Sequence, residues 1–493
     1  MNGINADEIF SGKNGYTYDD IILLPGFIDF QMNDINLECK LTEKISLKTP
    51  IVSSPMDTVT ESNMAINIAL QGGLGIIHCN NTISEQLEHV KKVKRYNNGF
   101  ILDPIVLNPD QTVKKILEIQ EECGFSGFPI TNNGKMGGKL VGFVSKRDFD
   151  FIDDKTTKIK DIMTTDLVTG KWDFSLEQSY NILKENKVSR LPILNDRGDL
   201  CALVSRKDQK KSRDFPLATK DPRTNQLIVG GAVTTHLKDR ERIDTLVVDG
   251  NVDILVIDAS QGNSIYQLDT IKYIKDNYPN VGIVGGNVVT KKQAEKLIEA
   301  GVDALREGMG VGSICTTQNV CGVGRSQANA IFEVSEFCKE KGVSVIADGG
   351  ISNSGHIVKA LVLGASFVML GSLLAGTDES CGEYVYRDGI KLKKYRGMGS
   401  IEAMKKNSSR RYQSEKESVS VAQGVNGIVS SKGSIHSYIP HLIQGVKHGF
   451  QNIGAISIEK AHSLQKSGEI SLEIRSLASQ LEGNVHNLFE YNN

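Results

Sequence analysis

The sequence predicts an α/β protein in which a (β/α)8 barrel is interrupted by a smaller inserted domain. From about residue 245 onward, short apolar runs such as DILVIDAS (253–260) and VSVIADGG (343–350) alternate with amphipathic helical patterns. Each run leads into Asp, Asn, Gly or Ser, and this alternation is typical of βα units around a parallel sheet. The same pattern occurs before residue 100, so the barrel pattern flanks roughly residues 100–220.

The apolar runs are taken as the barrel strands in chain order. They read PIVSSPMDTV (50–59), GGLGIIHCN (72–80), DILVIDAS (253–260), VGIVGGNV (281–288), VDALREGMG (302–310), VSVIADGG (343–350) and ASFVMLGS (365–372). An open doubly wound sheet is the alternative, but no GxGxxG follows a strand. The glycine-ended runs ADGGI and MLGS are similar to the phosphate sites of closed barrels. The pattern therefore favours a discontinuous barrel of residues 1–100 and 221–493.

The interruption, residues 101–220, contains an internal repeat. FPITNNGKMGGKLVGFVSKRD (128–148) and LPILNDRGDLCALVSRKD (191–208) each follow a helical pattern, which predicts two helix–hairpin units. The copies resemble a tandem pair of CBS motifs, a Bateman module, and this resemblance implies that Ser-x-x-Asp binds purine nucleotides such as ATP or GTP. On local grounds alone, Ser145 and Asp148 could equally cap a helix start.

Bulk composition narrows the function classes. The 493 residues carry 57 Lys+Arg against 59 Asp+Glu, a net charge of −2, so no basic field indicates a nucleic-acid partner. The 8 cysteines form no CxxC pair and are typical of a reducing compartment. The N-terminus has no secretory pattern, and no apolar run approaches the ~20 residues that span a bilayer. We therefore predict a soluble, cytoplasmic protein without a membrane partner.

The stretch GMGVGSICTTQ (308–318) brings a cysteine to a glycine-rich loop. Glycines at alternate positions allow positive φ, so their backbone groups can bind an anion or a monovalent cation. A thiol at Cys315 could attack an electrophilic carbon, whereas most free cysteines are small buried core residues. The neighbouring glycines, together with Ser313, Thr316 and Thr317, favour a nucleophile.

A late segment admits two interpretations. KLKKYRGMGS (391–400) is followed by the charged stretch SSRRYQSEKE (408–417) and then by VAQGVNG (421–427). Charged residues of this kind usually form a solvated surface insertion. A mobile loop that carries an arginine could instead close over a site and orient water. Composition leaves both open.

The order of these motifs resembles the IMP dehydrogenase family over about residues 15–490. SSPMDTV, DASQGNS, GGNVVT, GMGVGSICTTQ, ADGGI, MLGSLLA, KKYRGMGS, RY and VAQGV follow one another along the chain. The resemblance implies NAD+-dependent oxidation of IMP to XMP, the committed step of guanine nucleotide synthesis. It also implies a flap at about 385–424 and a homotetramer that can assemble into octamers.

The resemblance assigns roles residue by residue. Cys315 adds to C2 of the hypoxanthine ring, hydride passes to the nicotinamide, and water hydrolyses the thioimidate with the help of Thr317, Arg411 and Tyr412. The residues implied for IMP are Ser54, Met56, Ser313, Asp348, Gly350, Gly371, Ser372, Tyr395, Gly397, Met398, Gly399 and Gln423. Those implied for NAD+ are Asp258, Ser260, Asn287, Arg306 and Gly308, with His236 and Tyr266 at the adenine. K+ is implied at the carbonyls of Gly310, Gly312 and Cys315, with Glu482, Gly483 and Asn484 from a neighbouring subunit.

Three positions depart from the family pattern. Glu307 stands where a small apolar residue is usual, Val311 replaces Ser or Pro, and Asn484 replaces Gly. We expect Glu307 to perturb the nicotinamide pocket beside Arg306.

Two rival functions remain. GMP reductase shares the barrel and the Cys loop but is expected to lack the insertion and the flap. A non-catalytic nucleotide sensor has no need of Cys315, Asp348 and the Arg-Tyr pair together.

Overall fold

A computed structural model describes residues 4–12, 14–96, 100–101, 104–174, 176–206, 214–222, 224–406, 408 and 421–485. Contacts divide the chain into two compact units. The first consists of Met1–Lys94, Leu217–Thr219 and Leu227–Asn493, and the second of Arg95–Pro216 and Lys220–Gln226.

The first unit is built on a closed barrel of parallel strands. In chain order these are β1 Ile51–Ser53, β2 Leu74–Ile77, β3 Val229–Val233, β4 Ile254–Ile257, β5 Gly282–Val288, β6 Ala304–Glu307, β7 Ser344–Asp348 and β8 Phe367–Leu370. Each strand pairs in parallel with the next, and β8 pairs in parallel with β1, which closes the barrel. The predicted (β/α)8 barrel is confirmed.

A helix follows each barrel strand. The helices are α1 Ser62–Leu70, α2 Ile83–Lys94, α3 Arg240–Val248, α4 Ile265–Asn277, α5 Lys291–Glu299, α6 Gln327–Glu340, α7 Ser354–Val362 and α8 Ile435–Asn452. Along the chain, the second unit is inserted between α2 and β3. None of the helices in the described ranges is both long enough and apolar enough to cross a membrane.

The barrel strands are apolar on both faces because both faces are buried. Side chains that include Val52, Ile76, Val256, Val284 and Phe367 form one buried cluster. Such inward-pointing residues fill a barrel interior as a packed core rather than a pore. The polar residues that end the strands therefore lie at the rim.

Local caps fix where several of the outer helices begin. Thr290 and Gln293 form a reciprocal capping box at the start of α5, and Ser264 accepts a hydrogen bond from the Gln267 N–H at the start of α4. Asn353 does the same for α7 through the His356 N–H. Side chains of this kind satisfy backbone donors that the first helical turn leaves free. Each of these loops between a strand and its helix therefore ends at a defined residue.

The first unit carries further short elements. An antiparallel sheet of Tyr384–Arg387, Ile390–Arg396 and Asn426–Ser430 lies between β8 and α8 in the chain. Two-stranded pairs join Ile21–Leu23 with Leu472–Ile474 and Cys39–Lys40 with Ser46–Leu47. The remaining helices are Ala6–Phe10, Thr317–Cys321, Ser372–Ala375, Ile401–Lys406, Ile458–Lys466 and Leu477–Glu482, and the 3-10 turns are Met32–Asp34 and Leu237–Asp239.

The second unit contains both copies of the repeat as helix–hairpin units, as the sequence predicted. In the first copy, helix Val113–Cys123 precedes the hairpin Gly127–Thr131/Leu140–Ser145. In the second, Leu176–Glu185 precedes Arg190–Leu194/Leu200–Ser205, whose sheet also includes Gly170–Lys171 and Phe100–Ile101. Short helices lie at Lys146–Phe149 and Ile159–Asp161.

The Ser-x-x-Asp element of the first copy forms a helix cap. The Ser145 hydroxyl donates to the Asp148 carboxylate at 2.8 Å and the Ser145 N–H donates to the same oxygen at 2.6 Å. This confirms the capping interpretation of these residues. Nucleotide binding by them stays a prediction, and Asp208 of the second copy lies outside the described residues.

Candidate active site

A cleft of about 920 Å³, part of it open to solvent, lies at the carboxyl ends of the barrel strands. This is the rim where barrel enzymes carry their active sites. The cleft is lined by all of the residues predicted for IMP, namely Ser54, Met56, Ser313, Asp348, Gly350, Gly371, Ser372, Tyr395, Gly397, Met398, Gly399 and Gln423. It is also lined by Cys315, Thr317, Gly310, Gly312, Asp258, Ser260, Asn287, Arg306 and Gly308.

Backbone hydrogen bonds hold the Cys315 loop in this cleft. The Val425 N–H donates to the Ile314 carbonyl, and the Thr316 N–H donates to the Gln423 carbonyl, each at 3.0 Å. The Gln423 N–H in turn donates to the Gly399 carbonyl at 2.9 Å. The loop is therefore tied to two segments that follow β8 in the chain, and the thiol has a defined position.

The Cys315 thiol has polar neighbours. Its Sγ lies 3.1 Å from the Thr317 hydroxyl, which donates to the Gln423 side-chain oxygen at 3.3 Å. Cys315 is half-buried, whereas Cys321, at the end of the helix Thr317–Cys321, is exposed. The arrangement gives Cys315 an orienting hydroxyl and access to the cleft.

Two carboxylates share one buried arginine in the same cleft. Arg306, on β6, donates from Nη1 to Asp258 Oδ1 at 2.5 Å and from Nε to Asp348 Oδ2 at 2.8 Å. The side chains of Arg306 and Asp258 are 4% and 2% exposed, and that of Asp348 is 18% exposed. A buried charge needs such partners, so the guanidinium fixes both carboxylates at strand ends.

Asn287 extends this cluster. Its Nδ2 donates to the Gly308 carbonyl at 2.7 Å and to Asp348 Oδ2 at 3.0 Å. Its Oδ1 is buried and has no protein partner in the part of the chain that is described. An orphaned buried acceptor is costly unless a ligand or water supplies a donor, so this oxygen is suited to receive a ligand N–H.

Glycines let the backbone approach a ligand at the ends of β7 and β8. Gly350 has φ +73°, a conformation that favours glycine. A Cβ on Gly371 would stand 2.8 Å from the Tyr395 hydroxyl, so a larger residue would displace that side chain. Burial raises the pKa of Tyr395, which keeps its hydroxyl a proton donor.

An ion pair that the sequence does not predict joins two of the chain segments that line the cleft. Arg396 donates from Nε to Asp57 Oδ1 at 3.0 Å and from Nη2 to Oδ2 at 2.5 Å. Asn80 also donates to Asp57, at 2.7 Å. Asp57 follows Met56, and Arg396 lies between Tyr395 and Gly397, so the pair braces two lining segments. Both residues stand inside the quoted motifs SSPMDTV and KKYRGMGS, but sequence does not reveal that they meet.

We expect Asp57→Asn to lower the melting temperature by about 5 °C at neutral pH, because it breaks a buried two-point ion pair that stabilises the fold by about 2 kcal/mol. Burial opposes ionisation of Asp57, but the hydrogen bonds and charge of Arg396, with Asn80 and His78, hold its carboxyl pKa below 3.8. A lowered folded pKa gives stability that is present above 3.8 and is lost as the pH falls through the folded pKa.

The difference between Asp57→Asn and the wild type should therefore close at acid pH. Melting curves by circular dichroism across the acid range measure it. Glu38→Gln is the control, since it breaks an exposed pair with Lys48 and should change the melting temperature by less than about 1 °C. Equal losses in the two variants would contradict the assignment.

Several predicted residues lie elsewhere. His236 begins the turn Leu237–Asp239 and Tyr266 lies at the start of α4; both are exposed, and neither lines the cleft. Glu482 ends a helix that Gly483 caps, with Asn484 next, also away from the cleft lining. Arg411 and Tyr412 lie outside the described residues. The roles predicted for these residues stay predictions.

Neighbours of the predicted residues complete the lining. They are Pro55, Met309, Val311, Ile314, Gly349, Ile351, Met369 and Gly424. All stand next to, or within a few residues of, predicted site residues, so sequence proximity could have found them. The side chain of Glu307, the residue after Arg306, is hydrogen-bonded to Gln327, and an effect of Glu307 on the nicotinamide pocket stays a prediction.

The fold and the cleft together define a (β/α)8-barrel enzyme with a free thiol in its cleft and a buried carboxylate–arginine cluster at its mouth. The chain belongs to the IMP dehydrogenase / GMP reductase family, whose domain model matches residues 15–486. It is 47% identical to inosine-5′-monophosphate dehydrogenase of Toxoplasma gondii, over 99% of this chain and 98% of that protein. It is 48% identical to the Schizosaccharomyces pombe enzyme of that name, over 99% and 95%.

A solved structure corrects one argument from sequence. A GMP reductase from Trypanosoma brucei, a cysteine-to-alanine variant in complex with guanosine 5′-monophosphate, has a TM-score of 0.87 and 32% identity to this chain. The similarity covers 98% of this chain and 100% of that chain. A reductase can therefore have a counterpart of the inserted unit, and the expectation that a GMP reductase lacks the insertion is wrong for this one.

Proposed function

We propose that this protein oxidises IMP to XMP with NAD+, the committed step of guanine nucleotide synthesis. The observation that carries the proposal is the placement of the Cys315 thiol in one cleft with Asp348 and the glycine loops at 350 and 371. A nucleophile beside groups suited to a ribose and a phosphate fits a nucleotide whose base is attacked. The higher identity to proteins named inosine-5′-monophosphate dehydrogenase than to the reductase supports the direction of the reaction.

In this proposal the rim loops bind the nucleotide. Asp348 accepts hydrogen bonds from the ribose hydroxyls, since its Oδ2 already faces Arg306 and Asn287 and its other oxygen remains for a ligand. Backbone N–H groups near Gly350 and Gly371 contact the phosphate, as do the hydroxyls of Ser313, Ser372 and Tyr395. The residues at the base are Ser54, Met56, Gly397, Met398, Gly399 and Gln423.

The chemistry begins at Cys315. Its sulfur adds to C2 of the hypoxanthine, a new S–C bond forms, and the ring takes up one proton. The hydrogen at C2 then leaves with its electron pair and the ring releases the proton that it took up, which gives a neutral thioimidate between Cys315 and the nucleotide. Water adds to the same carbon, the S–C bond breaks, and XMP leaves with oxygen at C2. Thr317 orients the thiol and lies near the attacked carbon.

NAD+ supplies the acceptor of the hydride. Asp258, Ser260, Asn287, Arg306 and Gly308 fit its nicotinamide half, because they line the same cleft as Cys315 and Asn287 offers a buried orphan oxygen. His236 and Tyr266 would reach only the adenine half. Arg411 and Tyr412 are proposed to serve hydrolysis, Arg411 as the base. Because a free guanidinium has a pKa above ~12, Arg411 needs surroundings that favour its neutral form.

The Cys315 loop partly fits a K+ site. Among the described residues, the carbonyls of Gly310 and Cys315 accept no backbone hydrogen bond, while that of Gly312 accepts the Cys315 N–H at 2.9 Å. Carbonyls directed by glycine geometry suit a monovalent cation, and Glu482, Gly483 and Asn484 of a neighbouring subunit would complete the set. The cation would supply a fixed positive charge that orders the loop.

Removing K+ should therefore lower kcat by about tenfold or more while IMP affinity changes less, because the cation orders the nucleophile rather than the phosphate loops. Initial rates in K+ and in a bulky organic cation at matched ionic strength measure this. Equal rates in the two would show that no monovalent cation acts at the loop.

We further propose a homotetramer that pairs into octamers, in the cytoplasm, and a CBS module that binds ATP or GTP through the second unit. The paired helix–hairpin copies support the module. The tetramer follows from the need for a neighbouring subunit at the cation site. Light scattering without nucleotide tests the tetramer, and a change in particle mass on adding ATP or GTP tests whether the second unit responds to these nucleotides.

The experiment that tests the function follows NADH absorbance with IMP, NAD+ and K+ and quantifies XMP in the same sample. NADH and XMP rising together support the dehydrogenase. A stoichiometric burst of NADH without XMP would support thioimidate formation and hydride transfer but would contradict hydrolysis of the thioimidate. The likeness to a GMP reductase supports a second candidate, reductive deamination of GMP with NADPH. Consumption of NADPH with GMP, and silence with IMP, would favour that reaction.

A further inference from the structure

A buried carboxyl group lies directly behind the nucleotide-binding rim. Glu307 is the last residue of β6 and is 0% exposed. Its Oε2 accepts a hydrogen bond from Gln327 Nε2 at 2.9 Å. The same Nε2 donates to the backbone carbonyl of Asp348 at 3.3 Å. Gln327 therefore connects Glu307 to the residue proposed to bind the ribose.

Tyr18 completes this cluster from the N-terminal segment. Its side chain is 2% exposed, and its ring stands 3.4 Å from where a Cβ on Gly350 would lie. Tyr18, Glu307 and Gln327 thus pack behind both ends of loop 348–350. None of the three lines the cleft, so the cluster supports the loop without touching a ligand.

No cation neutralises Glu307 among the described residues. The charged groups that face it are Asp348 at the end of β7, which is of like sign, and Arg325 ahead of α6. Arg325 is engaged elsewhere: it pairs with Glu333 at 2.5 Å and donates to the Val289 carbonyl at 2.8 Å. An ionised carboxylate that is buried without a cation is strongly unfavourable.

An ionised Glu307 would also leave this buried cluster with fewer hydrogen-bond donors than acceptors. Glu307 Oε1, Gln327 Oε1 and the Tyr18 hydroxyl are buried and make no hydrogen bond of good geometry in the described chain. Burial raises the pKa of Tyr18, although its hydroxyl lies close enough to the Gln327 side chain for that side chain to lower the Tyr18 pKa in part. With Glu307 ionised, these three atoms comprise two acceptors and one hydroxyl donor, that of Tyr18. A proton on Glu307 adds the second donor and removes the charge. Burial, and next the charge of Asp348, raise the pKa of Glu307 well above 4.5.

We propose that Glu307 is a neutral carboxylic acid and that, through Gln327, it is a positioning residue for the 348–350 loop. The first half concerns only the folded chain. The second half rests on the proposed function, since it assumes that the loop binds the ribose and phosphate of IMP.

Infrared difference spectroscopy at neutral pH tests the first half without substrate. The spectrum of the wild type minus Glu307→Gln should contain the C=O stretch of a protonated carboxylic acid, and the band should shift in D2O. Glu340→Gln removes an exposed carboxyl from the end of the same helix as Gln327 and should leave that band unchanged. A Glu307 difference spectrum with carboxylate bands only would overturn the neutral acid.

Equilibrium binding of IMP, without NAD+, tests the second half. Gln327→Met keeps the size of the side chain but removes both hydrogen bonds, and it should weaken IMP binding about fivefold to tenfold. In turnover its KM for IMP should rise by the same factor while kcat and the KM for NAD+ stay close to wild type. Glu307→Gln, the conservative variant, should retain most of the affinity that Gln327→Met loses.

The outcomes separate the two proposals. Unchanged IMP affinity and KM in Gln327→Met would overturn the positioning role. Equal losses of kcat and of both affinities would indicate a general structural defect and would also overturn it. A wild type that binds neither IMP nor GMP would contradict the proposed function, while the infrared band would still decide the protonation of Glu307.

Discussion

We expect Cys315→Ala to lower NADH formation by about 10⁴-fold or more, while IMP should still bind with a Kd within about threefold of the wild type. The variant loses the only atom proposed to bond to C2, so hydride has no tetrahedral carbon to leave from. Binding persists because the groups assigned to the ribose and phosphate, such as Asp348 and Tyr395, do not depend on the sulfur. Stopped-flow absorbance measures the first half, and calorimetry with IMP measures the second.

Cys321→Ala is the matched control for this substitution. Cys321 ends the short helix Thr317–Cys321 that follows the Cys315 loop; it is exposed and does not line the cleft. Its loss should leave the rate within about twofold, since it removes no group near the reacting carbon. Substantial XMP production by Cys315→Ala, or comparable losses in the two variants, would remove Cys315 from the chemistry.

We expect Asp348→Asn to raise the KM for IMP about 100-fold and Asp258→Asn to raise the KM for NAD+ by a similar factor. Each substitution removes the charge that would accept two hydrogen bonds from a ribose diol, and each such charge-assisted bond stabilises binding by about 1.5–3 kcal/mol. Because both carboxylates pair with Arg306, each variant should also change the KM for the other ligand, but only by about threefold.

Steady-state kinetics with each ligand varied at saturating levels of the other measure both values of KM. Asp249→Asn, at an exposed carboxyl after α3, is the control and should leave both unchanged. If Asp348→Asn and Asp258→Asn raised the same KM, the division of the cleft into an IMP half and an NAD+ half would be contradicted.

Much of the site followed from sequence because its residues end barrel strands. Asp258, Arg306 and Asp348 stand at the carboxyl ends of β4, β6 and β7 or directly after them, and parallel strands in a barrel bring these ends together. The alternation of apolar runs and helices predicted seven of the eight barrel strands, all but β3 Val229–Val233, and the ordered motifs supplied the predicted roles. The local sequence pattern was therefore sufficient to predict the position of a site residue that lies at the end of a single strand.

Sequence was insufficient where a property depends on the direction of a side chain. Arg306 and Glu307 are adjacent on β6, so their side chains point to opposite faces. Arg306 faces the cleft carboxylates and Glu307 faces Gln327 on α6. Sequence alone did not locate Gln327 beside Glu307, so it did not predict the hydrogen bond between them. The pairing of Asp57 with Arg396 spans 339 positions and was equally hidden.

Mass spectrometry of the enzyme quenched in acid during turnover with IMP and NAD+ tests the central claim most directly. The account predicts a nucleotide on the peptide that contains Cys315, with the mass of IMP less two hydrogens, because one hydrogen leaves the thiol and one leaves C2. The adduct should be absent without NAD+ and in Cys315→Ala. Steady NADH formation with no nucleotide on Cys315, or with the nucleotide on another residue, would contradict the account.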